Sequence, residues 1–584
     1  MTRKRWEGRA AGDPVESEFG SRFEGASPDP VGPAWWLFVQ GKGRSAWGKS
    51  IAWSVAGALL AVGLTTGCTW SAPRADLVII NGAEPESLDP AIATGQADLR
   101  IITALFEGLT RYDPRTGEPV PGLAERWDCS GDGRTYRFHL RTNAVWSTGE
   151  PITAPDFVYS WRRVLEPATA AEYAGLLFYV KNAEDYNTGK LLDPTQVGVQ
   201  ALDARTLEVE LVGPTAFFLN LCAIHTFAVV PRDYIERYGD RWLMARPSKV
   251  SGPYGLEAWR LNDKVSLRRN PRYWDPARPK TERVDLLPIT SPATALNLYE
   301  TGAADIIWDK NLLPSELIDV LRRRPDCHMF DYLGTYFVRF NVTRRPFDDV
   351  RVRKAFALVV DKHRLVDKIT KAGEKVASHY TPFGTAHYRP PRGLGYDPEA
   401  GRRLLAEAGY AEGKGFPPTQ YLFNAGSGGG ARPDNKIAVE LQEMWRKELG
   451  VEVELRQLEW KTYLAAQGRL DYDLCRSSWV ADYNDANTFL DMFMSNNGNN
   501  RTGWKDARYD QLLREANQQV DGSRRAVLLE SAEAILVREQ VPVLPLYFYT
   551  GFTFYDPTKL AGIFPNVIDQ HPVDAIERVD RGRH

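Results

Sequence analysis

The sequence predicts a large mixed α/β fold (α/β or α+β) with several lobes, on three observations. The chain runs to 584 residues, well beyond what one hydrophobic core usually serves. Helical and strand periodicities alternate along it, and no repeat of 20–50 residues is visible. Its content of 43% apolar and 25% charged residues is that of a soluble globular protein.

Taken in order, the first element is a leader. Residues 51–64 (IAWSVAGALLAVGL) form an uncharged, mostly apolar run preceded by Lys42, Arg44 and Lys49. Basic residues before a short apolar core, with small residues after it, read as a secretory signal. The run falls short of the ~20 residues that span a bilayer comfortably. Cys68 follows Thr65, Thr66 and Gly67 and resembles a bacterial lipobox cysteine, although Thr65 stands where such boxes carry Leu or a similar residue. A diacylated cysteine supplies two chains, enough for stable anchoring where one is marginal. A signal's basic region rarely lies this deep, so translation is expected to begin later, at Val39 through a non-AUG codon. Residues 1–67 are therefore set aside from the fold.

Residues 131–147 (GDGRTYRFHLRTNAVWS) read as a Gly turn leading into an alternating strand. Tyr336 to Asn341 is a further strand, ending at the turn-prone Arg345-Pro346. Asp348 and Asp349 then sit where caps belong, and Val352, Phe356 and Val359 repeat at helical spacing. Residues 435–449 place Ile437, Leu441 and Met444 on one helical face, with Gly450 as the stop. Val451, Val453 and Leu455 alternate with charged residues, which predicts a half-exposed strand over 451–456. Gly426–Gly430, Pro382–Gly395 and Asn496–Asn500 read as surface loops.

Composition excludes several function classes. Lys+Arg 73 against Asp+Glu 75 leaves no broad basic field for nucleic acid. The five cysteines (Cys68, Cys129, Cys222, Cys327, Cys475) form no CxxC pair, and there is no HExxH, so neither a metal nor a cofactor is expected. No GxSxG or SxxK set supplies an activated nucleophile, so no catalytic residue is assigned. Asp482–Asn487 is not a calcium loop, since Asn487 stands at the position of the invariant Gly and Phe493 at that of the bidentate Glu.

From about Val78 to Pro572 a series of segments falls in one order. Residues 84–90 (EPESLDP) open it, followed by 105–109 (LFEGL), 121–127 (PGLAERW) and 153–160 (TAPDFVYS). Later come 251–254 (SGPY), 270–274 (NPRYW), the helix start at 348–353 and 479–483 (WVADY). This series resembles the extracellular solute-binding family of ABC importers typified by oligopeptide- and dipeptide-binding proteins. The resemblance implies a three-lobed, periplasmic-binding-protein-like fold in which two lobes close on a ligand cleft about a hinge. Domain I would hold residues 69–106, 232–334 and 550–584, domain II 107–231 and domain III 335–549. It further implies a peptide ligand, permease subunits of an ABC importer as partners, and a monomer. Location would be periplasmic or cell-surface, with membrane attachment through the lipid on Cys68.

Site residues follow from the same resemblance. Asp482 matches the family aspartate that accepts a peptide's amino terminus; a lone turn or cap is what its neighbours Asn484 and Asp485 would otherwise suggest. Trp479 and Trp460 match cleft-lining positions, and flat amphipathic rings suit varied side chains. Ser478 and Val480 flank Trp479 on the same segment. Tyr173 aligns with a tyrosine that reaches the ligand, and Tyr336 lies on a strand facing the cleft. Arg476 matches an arginine that in some relatives meets a short peptide's carboxyl terminus, a task suited to the guanidinium fork. The chain departs from the pattern elsewhere: Thr94 and Arg339 replace a glutamate, Ala486 replaces a proline, and residues 426–435 contain no histidine. The amino-end anchor is thus better supported than the carboxyl-end one.

Rival readings are an exported peptide hydrolase, the same fold carrying a nickel chelate or a sugar, and a peptide sensor or chaperone without transport. Asp482 favours a ligand bearing an amine.

Overall fold

The computed structural model describes residues 74–309, 312–424 and 434–579. The leader, Cys68 and the 426–430 loop lie outside the described residues. Among those described, no helix is long and apolar enough to cross a membrane.

The main sheet has eleven strands, numbered here along the chain. They are β1 (Leu77–Ile80), β2 (Tyr254–Arg260), β3 (Lys264–Arg269), β4 (Arg283–Leu287), β5 (Ile306–Ile307) and β6 (Cys327–Phe340). Then come β7 (Lys375–Val376), β8 (Thr419–Asn424), β9 (Val453–Leu458), β10 (Leu474–Val480) and β11 (Val543–Tyr555). Across the sheet the order is β9-β8-β10-β6-β11-β5-β1-β4-β3-β2, with β7 pairing on β11. Parallel pairs lie towards both ends, β8 with β9 and β10, and β1 with β4 and β5. Antiparallel pairs of β6 with β10 and β11 join the halves.

The join depends on two long strands. β6 has 14 residues and β11 has 13. Cys327–Asp331 pair with residues 550–554, and Thr335–Arg339 pair with residues 543–548. Between the two stretches the register slips, so that Tyr332, Leu333 and Gly334 face Tyr549 alone. Such a bulge bends a strand and sharpens its twist. Gly334 is required there, because a Cβ would sit 2.6 Å from Cδ2 of Tyr549 and 3.0 Å from Cε2 of Tyr332. The expected strand at 336–341 is therefore only the carboxyl half of β6. Its first half runs Cys-His-Met-Phe-Asp, with His328 half-buried and Met329 and Asp331 exposed, which hides it from a search for apolar alternation.

Core side chains gather in separate groups around this frame. One joins Leu77, Ile79, Ile101, Leu267 and Leu286 with Tyr555 and Ile576. A second surrounds a four-stranded antiparallel sheet (Ala124–Cys129, Thr135–Leu140, Thr206–Glu210 and Val199–Ala201) and includes Phe138, Trp161, Leu207 and Phe218. A third unites Val338, Phe356, Tyr421, Leu441, Trp445 and Leu474. The segment bearing the small sheet departs and returns at one point, where the Val229 N–H donates to the Glu107 carbonyl at 3.2 Å.

Local expectations hold with small shifts. Asp349 caps the helix Val350–Leu358 by accepting from the Arg351 N–H at 2.8 Å. Ile437, Leu441 and Met444 are buried on the helix Asp434–Leu449. The following strand starts at Val453 rather than 451, because Gly450, at φ +68°, and Val451 complete the turn. Residues 131–147 contribute the strand Thr135–Leu140. All four cysteines after Cys68 are free thiols.

Candidate functional site

A cavity of about 170 Å³ opens where the three core groups approach one another. Its wall takes Thr94, Gln96 and Arg100 from the first part of the chain, and Tyr112, Tyr173, Leu176 and His225 from the small-sheet segment. Val480, Ala481 and Asp482 come from the end of β10, and Ile568, Asp569 and Gln570 from the carboxyl-terminal segment.

Asp482 is placed by the bulge. Val480, the last residue of β10, pairs with Gly334, and the Ala481 N–H donates to the Leu333 carbonyl at 2.8 Å. Two residues beyond the strand the chain turns, with the Asp482 N–H donating to Thr488 Oγ1 at 3.3 Å. The polar residues that follow are committed to structure. Asp485 accepts two hydrogen bonds of 2.8 Å from Arg525 and another from the Asn487 N–H, opening the short helix Asn487–Leu490. Asn484 accepts from the Ala386 N–H at 2.9 Å. Asp482 has no such cation: among the described residues no ion pair answers its charge. Burial pushes its carboxyl up to about 6, against a smaller downward pull from the Thr488 hydroxyl.

Beside Asp482 the wall carries the aromatic rings of Tyr112 and Tyr173, with Arg100 and Asp569 elsewhere around the same cavity. Burial, followed by the Asp482 charge, pushes the Tyr112 and Tyr173 phenols far up, so both hydroxyls keep their protons and feel that carboxylate. Tyr112 donates to the Asn220 carbonyl at 3.0 Å, and the Tyr173 ring lies 5.8 Å from His225. His225 contacts the Ala93 carbonyl through Nε2 at 3.0 Å, and burial pushes its imidazole down to about 4. It is neutral at physiological pH and supplies no positive charge. Arg100 spends a guanidinium N–H on the Asn81 carbonyl at 3.1 Å. The result is a partly buried carboxylate with no ion-pair partner among the described residues, beside hydroxyl-bearing rings, an arrangement suited to receiving a cation.

The other predicted residues divide into three places. Val480 and Tyr173 line the cavity with Asp482. Trp479 and Ser478 lie just before them on β10, half-buried, and the Trp479 indole N–H is buried without a partner among the described residues. Trp460 starts the helix Trp460–Gly468, 37% exposed and stacked on Tyr463 at 5.6 Å, away from the cavity wall. Arg476 and Tyr336 belong to a separate buried cluster with Asp434. Tyr112, Arg100, His225 and residues 568–570 join the wall without any local sequence signal. Only the topology carries them there. No group of three His, Cys, Asp or Glu side chains among the described residues is arranged to hold a metal.

Residues 118–501 match the family model described as bacterial extracellular solute-binding proteins, family 5 middle. The chain is 36% identical over 497 residues to the periplasmic oligopeptide-binding protein OppA of Salmonella typhimurium, covering 83% of this chain and 89% of that one. It is 34% identical over 488 residues to the probable deoxycholate-binding periplasmic protein YgiS of Escherichia coli, covering 80% and 87%. The crystal structure of Haemophilus influenzae OppA in complex with the peptide RPPGFSPFR superposes with a TM-score of 0.73 at 31% identity, covering 87% of this chain and all of that one. These relatives carry the lobed fold of periplasmic binding proteins and are binding proteins, not enzymes, so the hydrolase reading falls. The chain belongs to the bacterial extracellular solute-binding proteins of family 5.

Proposed function

We propose that this protein captures peptides outside the cytoplasm by their free amino ends and hands them to the permease of an ABC importer. The observation that carries this reading is Asp482, a partly buried carboxylate with no ion-pair partner among the described residues, facing a cavity beside Tyr112 and Tyr173. An α-ammonium entering the cavity supplies the opposite charge, and closure of the lobes over that pair would couple binding to lobe movement. Amino termini are common to all peptides, so this anchor serves a receptor with broad side-chain tolerance.

The proposed lobes are residues 69–106 with 232–334 and 550–584, then 107–231, then 335–549. The separate core groups support this division, and the long β6 and β11 suit a hinge. The cavity takes residues from all three, as a cleft closed by lobe movement must. The protein is proposed to act as a monomer tethered through acylated Cys68 at the outer face of the membrane. Replacing Cys68 with Ser should release it into the soluble extracytoplasmic fraction.

Native mass spectrometry of protein purified from cells, followed by release of the ligand, tests the cargo. A heterogeneous set of short peptides is expected. A sterol-like acid, a sugar or a metal chelate as the sole bound species would replace the peptide reading while leaving the fold untouched.

A further inference from the structure

Between the small-sheet segment and the helices that follow β10 lies another cavity, of about 420 Å³. That volume falls within the roughly 300–1,000 Å³ of small-molecule pockets. Phe178, Val212, Pro214 and Phe217 line it from one side, and Arg514 and Arg525 from the other. None of them lines the cavity at Asp482. Phe217 is buried and Phe178 and Pro214 are half-buried, but Val212 is 59% exposed, so part of this apolar wall is open to water. The two sides approach closely at Gln518, whose Oε1 accepts from Arg134 at 3.4 Å. A Cβ on Gly213 would come within 2.6 Å of Gln518 Nε2. The two arginines differ. Arg525, 8% exposed, gives two hydrogen bonds of 2.8 Å to Asp485 and sits 5.7 Å over the Phe217 ring, so its charge is answered and its position fixed. Arg514, on the helix Ala507–Ala516, is exposed and has neither an ion pair nor a side-chain hydrogen bond among the described residues. The acids of its own helix, Asp510 and Glu515, accept instead from the Ser495 N–H at 2.9 Å and from Gln511 at 2.8 Å.

We propose that this seam is a second ligand site, one that takes a small amphipathic carboxylic acid and tightens the hold on peptide. An aryl or alkyl body lies against Phe178, Val212, Pro214 and Phe217, where removing apolar area from water supplies most of the affinity. The carboxylate meets the guanidinium of Arg514, whose planar fork matches it and whose long stem can swing over the pocket. An exposed pair of that kind contributes little by itself, so it selects the acid over a neutral analogue rather than carrying the binding. The site is complete only while its two sides are together. On the lobe division proposed above, those sides belong to different lobes, and a molecule bound between them favours the closed form. Linkage then requires that it raise peptide affinity by the factor by which peptide raises its own. The coupling rests on that division; the site itself does not.

Calorimetry on the full chain, with phenylbutyrate as the acid, phenylbutyramide as its neutral analogue and trialanine as the peptide, tests both parts. Phenylbutyrate should bind the trialanine-saturated protein once per chain, at least threefold more tightly than phenylbutyramide. Saturating phenylbutyrate should tighten trialanine binding about fivefold or more. Arg514→Gln should abolish the difference between acid and amide while binding trialanine like the parent, and Val212→Glu, which sets an anion in the pocket, should lose phenylbutyrate altogether. No binding of phenylbutyrate, its displacement by trialanine, or equal binding of acid and amide by the parent overturns the site. Binding that leaves trialanine affinity unchanged overturns the coupling. Failure of trialanine to bind a protein that still binds phenylbutyrate would count against peptide capture and leave the site standing. Small-angle X-ray scattering then decides the coupling alone: phenylbutyrate should contract the protein, and an unchanged radius would refute it.

Discussion

At the scale of single residues, Asp482 is costly before it is useful. Holding its carboxyl near 6 rather than its ordinary value means that the ionised form is disfavoured by folding. A rise of that size corresponds to about 3 kcal/mol at neutral pH. The folded-state pKa is raised, so the penalty is absent below the unfolded value near 4, grows between about 4 and 6, and is full above 6. Asp482→Asn should therefore melt at a higher temperature than the parent at about pH 7.5 in the absence of ligand, with the difference vanishing near pH 3.5 in matched thermal scans. The same replacement should weaken peptides with free amino ends by about 2–5 kcal/mol, the range for removing one partner of a buried pair. Affinity should also fall roughly tenfold per pH unit below about 6 in the parent, as the empty anchor takes up a proton, and should lose that dependence in Asp482→Asn. Calorimetric titrations from pH 5 to 7.5 check both. A carboxylate in a turn-rich stretch is visible in the sequence. What separates Asp482 from Asp485 is not, because the distinction rests on Arg525, forty residues further on.

At the scale of elements, the decisive piece is the bulge between β6 and β11. Adding a methyl at Gly334 places it 2.6 Å from a Tyr549 ring carbon, so the ring or the strand must move. Gly334→Ala should cost about 1–3 kcal/mol of stability, as overpacking in a dense core does. It should also weaken peptide binding, because Leu333 and Gly334 position Ala481 and Val480 immediately before the anchor. Chemical denaturation beside calorimetry reads both effects, and unchanged affinity would separate the bulge from the site. Helices such as Asp434–Leu449, with apolar residues at three- and four-residue spacing, were legible from local pattern. β5, two residues long, and the first half of β6 were not, since their strand state is imposed by partners distant in the chain.

Across the whole molecule, the small-sheet segment and the segment following β10 meet through specific contacts. The Phe217 ring stacks on Tyr483 at 4.6 Å with an interplanar angle of 12°, and Asn487 donates to the Tyr179 hydroxyl at 3.1 Å. Phe217 and Tyr483 are almost wholly buried, so opening the cleft exposes them. Phe217→Ala should therefore shift the population towards the open form and weaken peptide binding by about 1–3 kcal/mol, comparable to losing an aromatic pair and part of its buried area. Small-angle X-ray scattering should find that peptide contracts the parent protein, and that the variant needs more peptide to reach the same radius. The family and the lobed plan were legible because ordered motifs span the chain. The inner wall was not, since Tyr112, His225 and Gln570 come from three separate stretches that only the folded topology brings together.

The single hydrogen bond between Glu107 and Val229 has a practical meaning. A hundred and more residues begin and end side by side, so their removal asks the remaining chain to bridge only one short gap. Excision with a two- or three-residue graft, or exchange for the matching stretch of a relative, becomes a way to transplant one wall of the receptor while its framework stays in place.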